Sequence, residues 1–440
     1  MRSRIFGIGV IAIFVTMGIM VTGCSNSNVA ECAQSNFVQV KDGQFVKNGK
    51  PYRFIGVNYW YAPLLGMSCD NGDRERLHWE LDFMKEHGID NLRVMVGVEG
   101  ISKNNSHASF PLQTEPGVYD DNLLDGLDYF MSEAGKRDIK VVLFLTNNWE
   151  WSGGYAQYLT WMGKGEYPYP NVAGWPAFLE YIGTFYDCEE CVDAFKRHCE
   201  FIISRTNRYT QQKYMDDPAL MAWEIANEPR PNGPQNKEIY TQFIGDIAKL
   251  IKSLDSNHLL TTGTEGTMGT EYDIQLWKAI HSFPEVDYAT IHIWAKNWQW
   301  INFDNFDETF VTTKEKMQQY IKDHAQIADE LNKPMVIEEI GFPRDGHLFE
   351  PSTTTVYRDQ YFDLMFNIMA SGEYKSFQGI NLWGFGGEGR AANTQHYEWR
   401  PGDPFTGDPP QEEQGLNNIF DTDAFTLKMI KAYNERLAKE

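Results

Sequence analysis

The chain has 440 residues, 42% hydrophobic and 23% charged, a globular balance that excludes wholesale disorder and a polytopic membrane protein. A net charge of −22 and a pI near 4.9 exclude an electrostatic nucleic-acid binder. Aromatic residues reach 14%, with 13 Trp and 22 Tyr, and rings with polar tips that are costly to hide whole point to a surface that binds something with flat apolar faces.

Arg2 and Arg4 precede an apolar run over residues 5–21, followed by Thr22, Gly23 and Cys24. A basic start, a short apolar stretch and a small-residue end describe a secretory signal peptide, and the run falls short of the ~20 residues a comfortable membrane span needs. Val21-Thr22-Gly23-Cys24 also resembles a bacterial lipobox, in which the Cys is acylated and becomes the mature N-terminus; a plain signal peptide with an incidental Cys is the alternative. Ser25, which is not Asp, fits sorting to an outer membrane, and Ser25-Asn26-Ser27-Asn28 reads as a flexible tether. The expected organisation is a lipoprotein signal peptide over 1–23, a tether over 24–36 and a folded domain over 37–440. It implies an exported lipoprotein at the outer membrane or cell surface, held by lipid on Cys24, or a secreted protein if the lipobox is not used.

Six cysteines fit export. With Cys24 lipidated, Cys32, Cys69, Cys188, Cys191 and Cys199 remain. Cys188 and Cys191 sit three apart at a helix start and could bridge. Cys32 and Cys69 could tie the N-terminal segment to the first long loop. No second CxxC or HxxxH completes a zinc set, so disulfide is preferred to metal.

From Phe37, alternating apolar and polar residues around Asp42-Gly43 and Asn48-Gly49 mark a β-hairpin. Beyond it, short β-branched runs near 54–58, 91–96, 140–146, 220–226, 259–262, 289–293, 334–338 and 379–383 alternate with helical patterns such as 74–86, 123–137, 192–209, 237–254, 313–331 and 357–370. Repeated βα units imply a parallel sheet, and eight of them an α/β TIM barrel, (β/α)8. A doubly wound open sheet is the weaker alternative, because no GxGxxG follows the first strand. A barrel needs only ~250 residues. The excess falls in two long βα loops, 147–190 and 384–417, and loops of that size are usually functional.

In such a barrel the site lies at the C-terminal strand ends. There the sequence places Trp60, Arg93, Trp149, Asn227, Glu228, Glu265, His292, Trp294, Glu339 and Trp383. Two carboxyls dominate: Glu228, in Asn227-Glu228-Pro229 after the fourth strand, and Glu339, in Glu339-Ile340-Gly341 at the seventh. Strands four and seven face each other across a barrel mouth. Cleavage of a glycosidic bond with retention needs two carboxyls about 5–5.5 Å apart, one raised in pKa to protonate the leaving oxygen and one ionised to attack the sugar carbon. Metal binding is the chemical alternative, but no His or Asp clusters with these Glu at ligand spacing, so no metal is expected; acid/base work plus a covalent intermediate suffices without an organic cofactor. By strand alternation Glu338 points away from Glu339, toward the helices. Glu224 shares the parity of Glu228, lower in the barrel, where it could hold Arg93 or a water network.

These motifs resemble glycoside hydrolase family 5, in strand order from Phe37 to the C-terminus. Arg93 in Asn91-Leu92-Arg93-Val94, His292, and Trp383 in Asn381-Leu382-Trp383-Gly384 fall where that family keeps active-site residues. The resemblance implies that Glu228 is the acid/base and Glu339 the nucleophile. It implies that Asn227 bonds the sugar 2-hydroxyl, and that Arg93 and His292 orient the carboxylates. The family commonly has His-x-Tyr at strand six; Trp294 stands here instead, a form associated with its mannanases. Asn227-Glu228-Pro229-Arg230, Gly263-Thr264-Glu265-Gly266 and Gln414-Gly415-Leu416 also look like the β-1,4-mannanases of the family, in which Arg230 and Glu265 would meet sugars on the leaving-group side. Trp383 would floor the sugar being cleaved. The loop aromatics Trp149, Trp151, Tyr155, Tyr158, Trp161, Tyr167, Tyr169 and Trp175 either stack on sugar or pin the loop.

The expected protein is therefore a monomeric endo-β-1,4-mannanase acting on mannan, glucomannan or galactomannan. An exo-β-mannosidase or an endo-β-1,4-glucanase is the alternative with the same chemistry, and a non-catalytic glycan-binding lipoprotein the alternative of another class. The acidic surface suits a neutral polysaccharide.

Overall fold

The apolar runs form eight strands: β1 (Phe54–Asn58), β2 (Asn91–Met95), β3 (Lys140–Phe144), β4 (Leu220–Glu224), β5 (Leu259–Thr261), β6 (Ala289–Ile293), β7 (Met335–Ile340) and β8 (Phe377–Leu382). Every residue in them is buried, as expected of strands covered on both faces, which read as continuous apolar stretches. The computed structural model describes residues 36–100 and 110–439. The expected signal segment, Cys24, Cys32 and all but one residue of the tether lie outside them.

Hydrogen-bonded order runs β5-β4-β3-β2-β1-β8-β7-β6, parallel throughout. The ends of that order meet: Asp287 N donates to Leu260 O at 2.8 Å and His292 N to Glu265 O at 3.1 Å, and the Thr261 hydroxyl reaches Tyr288 O at 3.0 Å. The sheet is a barrel, and the doubly wound alternative is excluded. Helices α1 (Arg74–Glu86), α2 (Asp121–Lys136), α3 (Glu189–Ile203), α4 (Lys237–Leu254), α5 (Ile274–His281), α6 (Phe306–Leu331), α7 (Val356–Ser371) and α8 (Ala424–Leu437) follow the strands in turn. Asp73, Asp120 and Asp273 cap α1, α2 and α5 by accepting free backbone N–H groups of the first turn. Two expected bounds shift. The α3 pattern, read through Tyr209, stops at Ile203, where the Asn207 side chain accepts from Tyr209 N and Thr210 N and folds the chain into a turn. The α6 helix starts seven residues before Thr313.

The N-terminal hairpin forms as expected. Asp42, Gly43, Asn48 and Gly49 all have positive φ, the geometry of tight hairpin turns. Its Phe45 is fully buried and meets Phe54 and Tyr288 with ring centroids 6.3 and 5.3 Å apart, so the hairpin plugs the N-terminal end of the barrel with Met221, Leu259 and Val336.

Of the two long excursions, the first is not an open loop. It carries short helices at Gly154–Trp161, Pro170–Ala173 and Trp175–Ile182. Buried Tyr155, Tyr158 and Phe185 pack at its centre, and Glu99 fixes its base by accepting from the Thr146 hydroxyl at 2.9 Å and Gly154 N at 3.1 Å. Hydrophobic packing thus accounts for Tyr155 and Tyr158. The excursion after β8 is tied back where Phe385–Gly387 pairs with Ile419–Phe420, and Asp408 accepts from Gly415 N and Asn417 N at 2.8 and 3.1 Å.

Candidate active site

The ends of β2, β4, β6 and β7 bring their polar side chains to one point. Ladder pairing sets Asn58 beside Arg93 and His292 beside Glu339. Glu228, just past β4, reaches inward from a left-handed backbone with φ 50°, a conformation that costs a non-glycine residue about 1–3 kcal/mol and clusters at functional sites. Two glycines make room. A Cβ on Gly263 would stand 2.0 Å from Ala226 O, and one on Gly341 would stand 2.6 Å from the Trp294 ring.

Arg93 is fully buried and spends its whole guanidinium here. It donates to both Glu224 oxygens at 2.7 and 2.6 Å, to Glu339 Oε1 at 2.5 Å, to Asn58 Oδ1 at 3.0 Å and to Asn227 Oδ1 at 2.7 Å. His292 Nδ1 lies 2.7 Å from Glu228 Oε1 and 3.3 Å from Glu339 Oε2. The Trp294 indole N–H is shared in the same way, 3.3 Å from Glu228 Oε1 and 3.2 Å from Glu339 Oε2. Trp149 donates to Glu228 Oε2 at 2.5 Å. Arg230 bonds Glu265 at 2.5 Å and lies 4.7 Å over the Trp149 ring. Trp383 stands edge-on to Trp294, centroids 5.8 Å apart, and its buried N–H has no partner among the described residues.

One ligand atom each of Glu228, His292 and Glu339 lies within 4.8 Å of the others. A carboxyl oxygen of each Glu thus lies within 4.8 Å of one of the other, close enough to fit the carboxyl spacing of about 5–5.5 Å used in retention. The same distance corrects the reading that no His accompanies the two Glu at ligand spacing, since the fold supplies His292 from a third strand. Yet a cationic guanidinium and three ring N–H groups already aim at these oxygens, a donor set made for carboxylates and hostile to a further cation.

The electrostatics depart from expectation at Glu228. Burial raises its pKa, but the hydrogen bond and charge of His292, with Arg230 and Trp149, pull it below the ordinary carboxyl value. Burial likewise works against a charged His292, and the Glu339 and Glu228 carboxylates outweigh it, pushing the imidazole up to about 10. Between Glu228 and His292, the proton is therefore held by the imidazole. Glu265 is pushed up to about 7 by burial, with Arg230 opposing.

Two side chains are not where the sequence suggested. Trp60 is 1% exposed, wedged edge-on against Tyr61, Trp151 and Phe405, with its N–H given to Gly407 O at 3.1 Å. It braces the wall behind the cleft and offers no face to a sugar. Glu338 does not face the helices. The β6–β7 ladder skips it, passing from Ile291–Ile337 to His292–Glu339, and such a bulge re-aims side chains beside active sites. Glu338 turns inward, accepts from Tyr288 at 3.0 Å and interacts electrostatically with Glu224, Arg93 and His292. Alternation alone could not reveal it.

The comparisons agree with this geometry. Residues 35–440 match the family described as GH family 5 beta-mannosidase-like. The chain belongs to glycoside hydrolase family 5. Mannan endo-1,4-beta-mannosidase 1 of Solanum lycopersicum is 31% identical over 343 residues, 75% of this chain and 80% of the relative. A family 5 mannosidase of Rhizomucor miehei, solved in complex with mannosyl-fructose, superposes with a TM-score of 0.84 at 32% identity, covering 92% of this chain and 98% of its own. The endo-1,4-beta-mannanase of the same organism superposes with a TM-score of 0.67 at 25% identity, covering 92% and 100%. As a member of family 5 the protein is a glycoside hydrolase with a (β/α)8 barrel.

Proposed function

We propose that this family 5 hydrolase cleaves β-1,4-mannosidic bonds with retention, Glu339 attacking the anomeric carbon and Glu228 serving as acid and then base. The observation that carries the reading is the approach of Glu228 and Glu339 within 4.8 Å under shared N–H donors. Arg93 and Trp294 keep Glu339 hydrogen-bonded and aimed, as a nucleophile needs. His292 holds a proton 2.7 Å from Glu228 Oε1; its transfer creates the carboxylic acid that protonates the leaving oxygen. Once the glycosyl–enzyme ester forms, Glu228 accepts a proton from water as that water attacks. Asn227, held by Arg93 and Asn147, stands beside Glu228 to bond the sugar hydroxyls, and Trp383 offers the apolar floor.

Of the two modes, endo or chain-end, we favour attack near a chain end on short mannooligosaccharides. The excursions after β3 and β8 face each other across a cavity of 430 Å³ lined by Trp175 from one and Trp399 from the other. The mannosidase neighbour also superposes better than the endo-mannanase, at TM-scores of 0.84 and 0.67. Internal cleavage of mannan is the second reading, supported by relatives such as the tomato enzyme at 31% identity. Mannotetraose and galactomannan digests separate the two. Chain-end attack releases a single small product and leaves viscosity high, whereas internal cleavage drops viscosity early. If the full chain shortens no β-1,4-mannoside, or if proton NMR shows the α-anomer as first product, the reading fails.

Export and lipid attachment at Cys24 complete the proposal, supported by the basic and apolar residues before it. Loss of labelled-palmitate incorporation in Cys24→Ser, with incorporation in the parent, tests it.

A further inference from the structure

Two acids outside the catalytic group, buried Glu150 and half-buried Glu412, have no visible employment. Glu150 is 4% exposed and its Oε2 has no hydrogen-bond partner among the described residues. The same holds for Oε2 of Glu412, from the opposite excursion. An unpaired buried carboxylate oxygen is costly, so both need donors that the described residues do not supply. Both line the 430 Å³ cavity between the excursions, together with Trp175, Tyr397, Trp399 and Arg400. Trp175 is 49% exposed there, an unusual position for so large a ring. The cavity adjoins the catalytic centre through a short chain of contacts. Trp175 stands edge-on to Trp149 with centroids 5.7 Å apart, and Trp149 bonds Glu228. Glu412 also lies within the electrostatic reach of Glu339 and Glu228.

We infer that this cavity is a subsite for a sugar ring beyond the bond being cut, on the Trp149 side of Glu228, with Glu150 and Glu412 accepting its hydroxyl hydrogens and Trp175 stacking on its C–H face. A pyranose brings several neutral O–H donors and a flat apolar face together. Burial pushes the Glu150 carboxyl up to about 7, and burial together with the Asp408 charge raises Glu412, so each gains from added donors. Neither acid falls in a family motif. They meet only because two excursions, more than 200 residues apart in sequence, close over one mouth.

The inference rests on the proposed mannoside chemistry, and one experiment distinguishes the failure of each. The full chain carrying Glu339→Ala is titrated with mannotriose and mannotetraose by calorimetry, then again with Trp175→Ala, Glu412→Gln or Glu150→Gln added. Each addition is expected to weaken mannotetraose binding about tenfold or more, with the thermal midpoint kept within a degree or two of the parent. Parent binding with every added variant within twofold of it overturns the subsite and leaves the mannoside reading standing. A parent that binds neither oligosaccharide overturns both. Calcium titration is the remaining arm: calcium heat that Glu412→Gln abolishes, with mannotetraose binding unaffected, assigns the acids to a cation and overturns the subsite. Glu→Gln is nearly isosteric and Trp175 is half exposed, so a folding defect in one variant leaves the other two to decide.

Discussion

Arg93 Nη1 lies 2.5 Å from Glu339 Oε1 while the rest of the same guanidinium grips Glu224. One side chain thus orients the proposed nucleophile and neutralises a carboxylate deeper in the barrel. A lysine can serve only one of them, because it lacks the planar fork. Arg93→Lys is expected to lower kcat/KM at least about 100-fold and to destabilise the fold by about 3–5 kcal/mol, the usual cost of leaving one member of a buried pair alone. Steady-state kinetics on mannotriose and a urea melt check both arms; loss of activity without loss of stability would mean that Glu224 does not need its partner.

Trp294 stands where the family commonly has Tyr, and its N–H spans Glu228 and Glu339 at 3.3 and 3.2 Å. An indole donates without accepting, so this contact serves only ionised or acceptor oxygens. Trp294→Phe keeps most of the ring packed against Trp383 and removes the donor. A charge-assisted hydrogen bond is worth about 1.5–3 kcal/mol, so kcat is expected to fall roughly 10- to 100-fold with KM little changed. A rise in KM at constant kcat would make Trp294 a binding surface instead.

The barrel was legible because strand and helix periodicities are local, and Glu228 and Glu339 because motif and strand end coincide. What escaped depends on contacts between distant segments. Glu338 faces inward through a ladder irregularity visible only against β6. Trp60 is sealed by Trp151 and Phe405, which arrive from two excursions. The lowered pKa of Glu228 follows from His292, 64 residues away. The helices inside the β3 excursion lacked a clean period, since their aromatics pack on several sides.

Cys188 and Cys191 form a disulfide, one of the pairings the sequence left open. Cys199 is a buried free thiol, and Cys69 has no disulfide partner among the described residues. The bridge closes a loop of only four residues, for which chain entropy gives about 2 kcal/mol. In a domain of this size that shifts the melting midpoint by only about 2 °C. The double variant Cys188→Ser/Cys191→Ser is expected to melt about that much lower with activity intact. A drop of ten degrees would mean that the bridge organises the excursion and does more than restrict the unfolded chain.

Stability should fall as pH rises from 6.5 to 8. Burial pushes Glu99 up to about 8, partly offset by Thr146 and Gly154, and Glu338 is pushed up to about 8 by burial and by Glu224. Between their ordinary value near 4.5 and pH 8 these carboxyls hold protons in the folded chain that the unfolded chain has released, so stability declines with pH. His292 adds to the decline. Its folded pKa near 10 exceeds the ordinary 6.5, so its contribution is complete below 6.5 and lost as pH climbs toward 10. Buried His198 and His324, lowered to about 4, act oppositely, but only below 6.5. Lys333, lowered to about 8, opposes the trend as pH nears and passes that value, so little of its effect falls inside this window. Glu99 alone accounts for about 1.5 kcal/mol over this window, or about 2 °C in melting temperature. Thermal melts at constant ionic strength are expected to show the decline, and Glu99→Gln to lessen it by that amount. A melting temperature that holds level or rises from pH 6.5 to 8 would show that Glu99 and Glu338 are ionised in the folded protein.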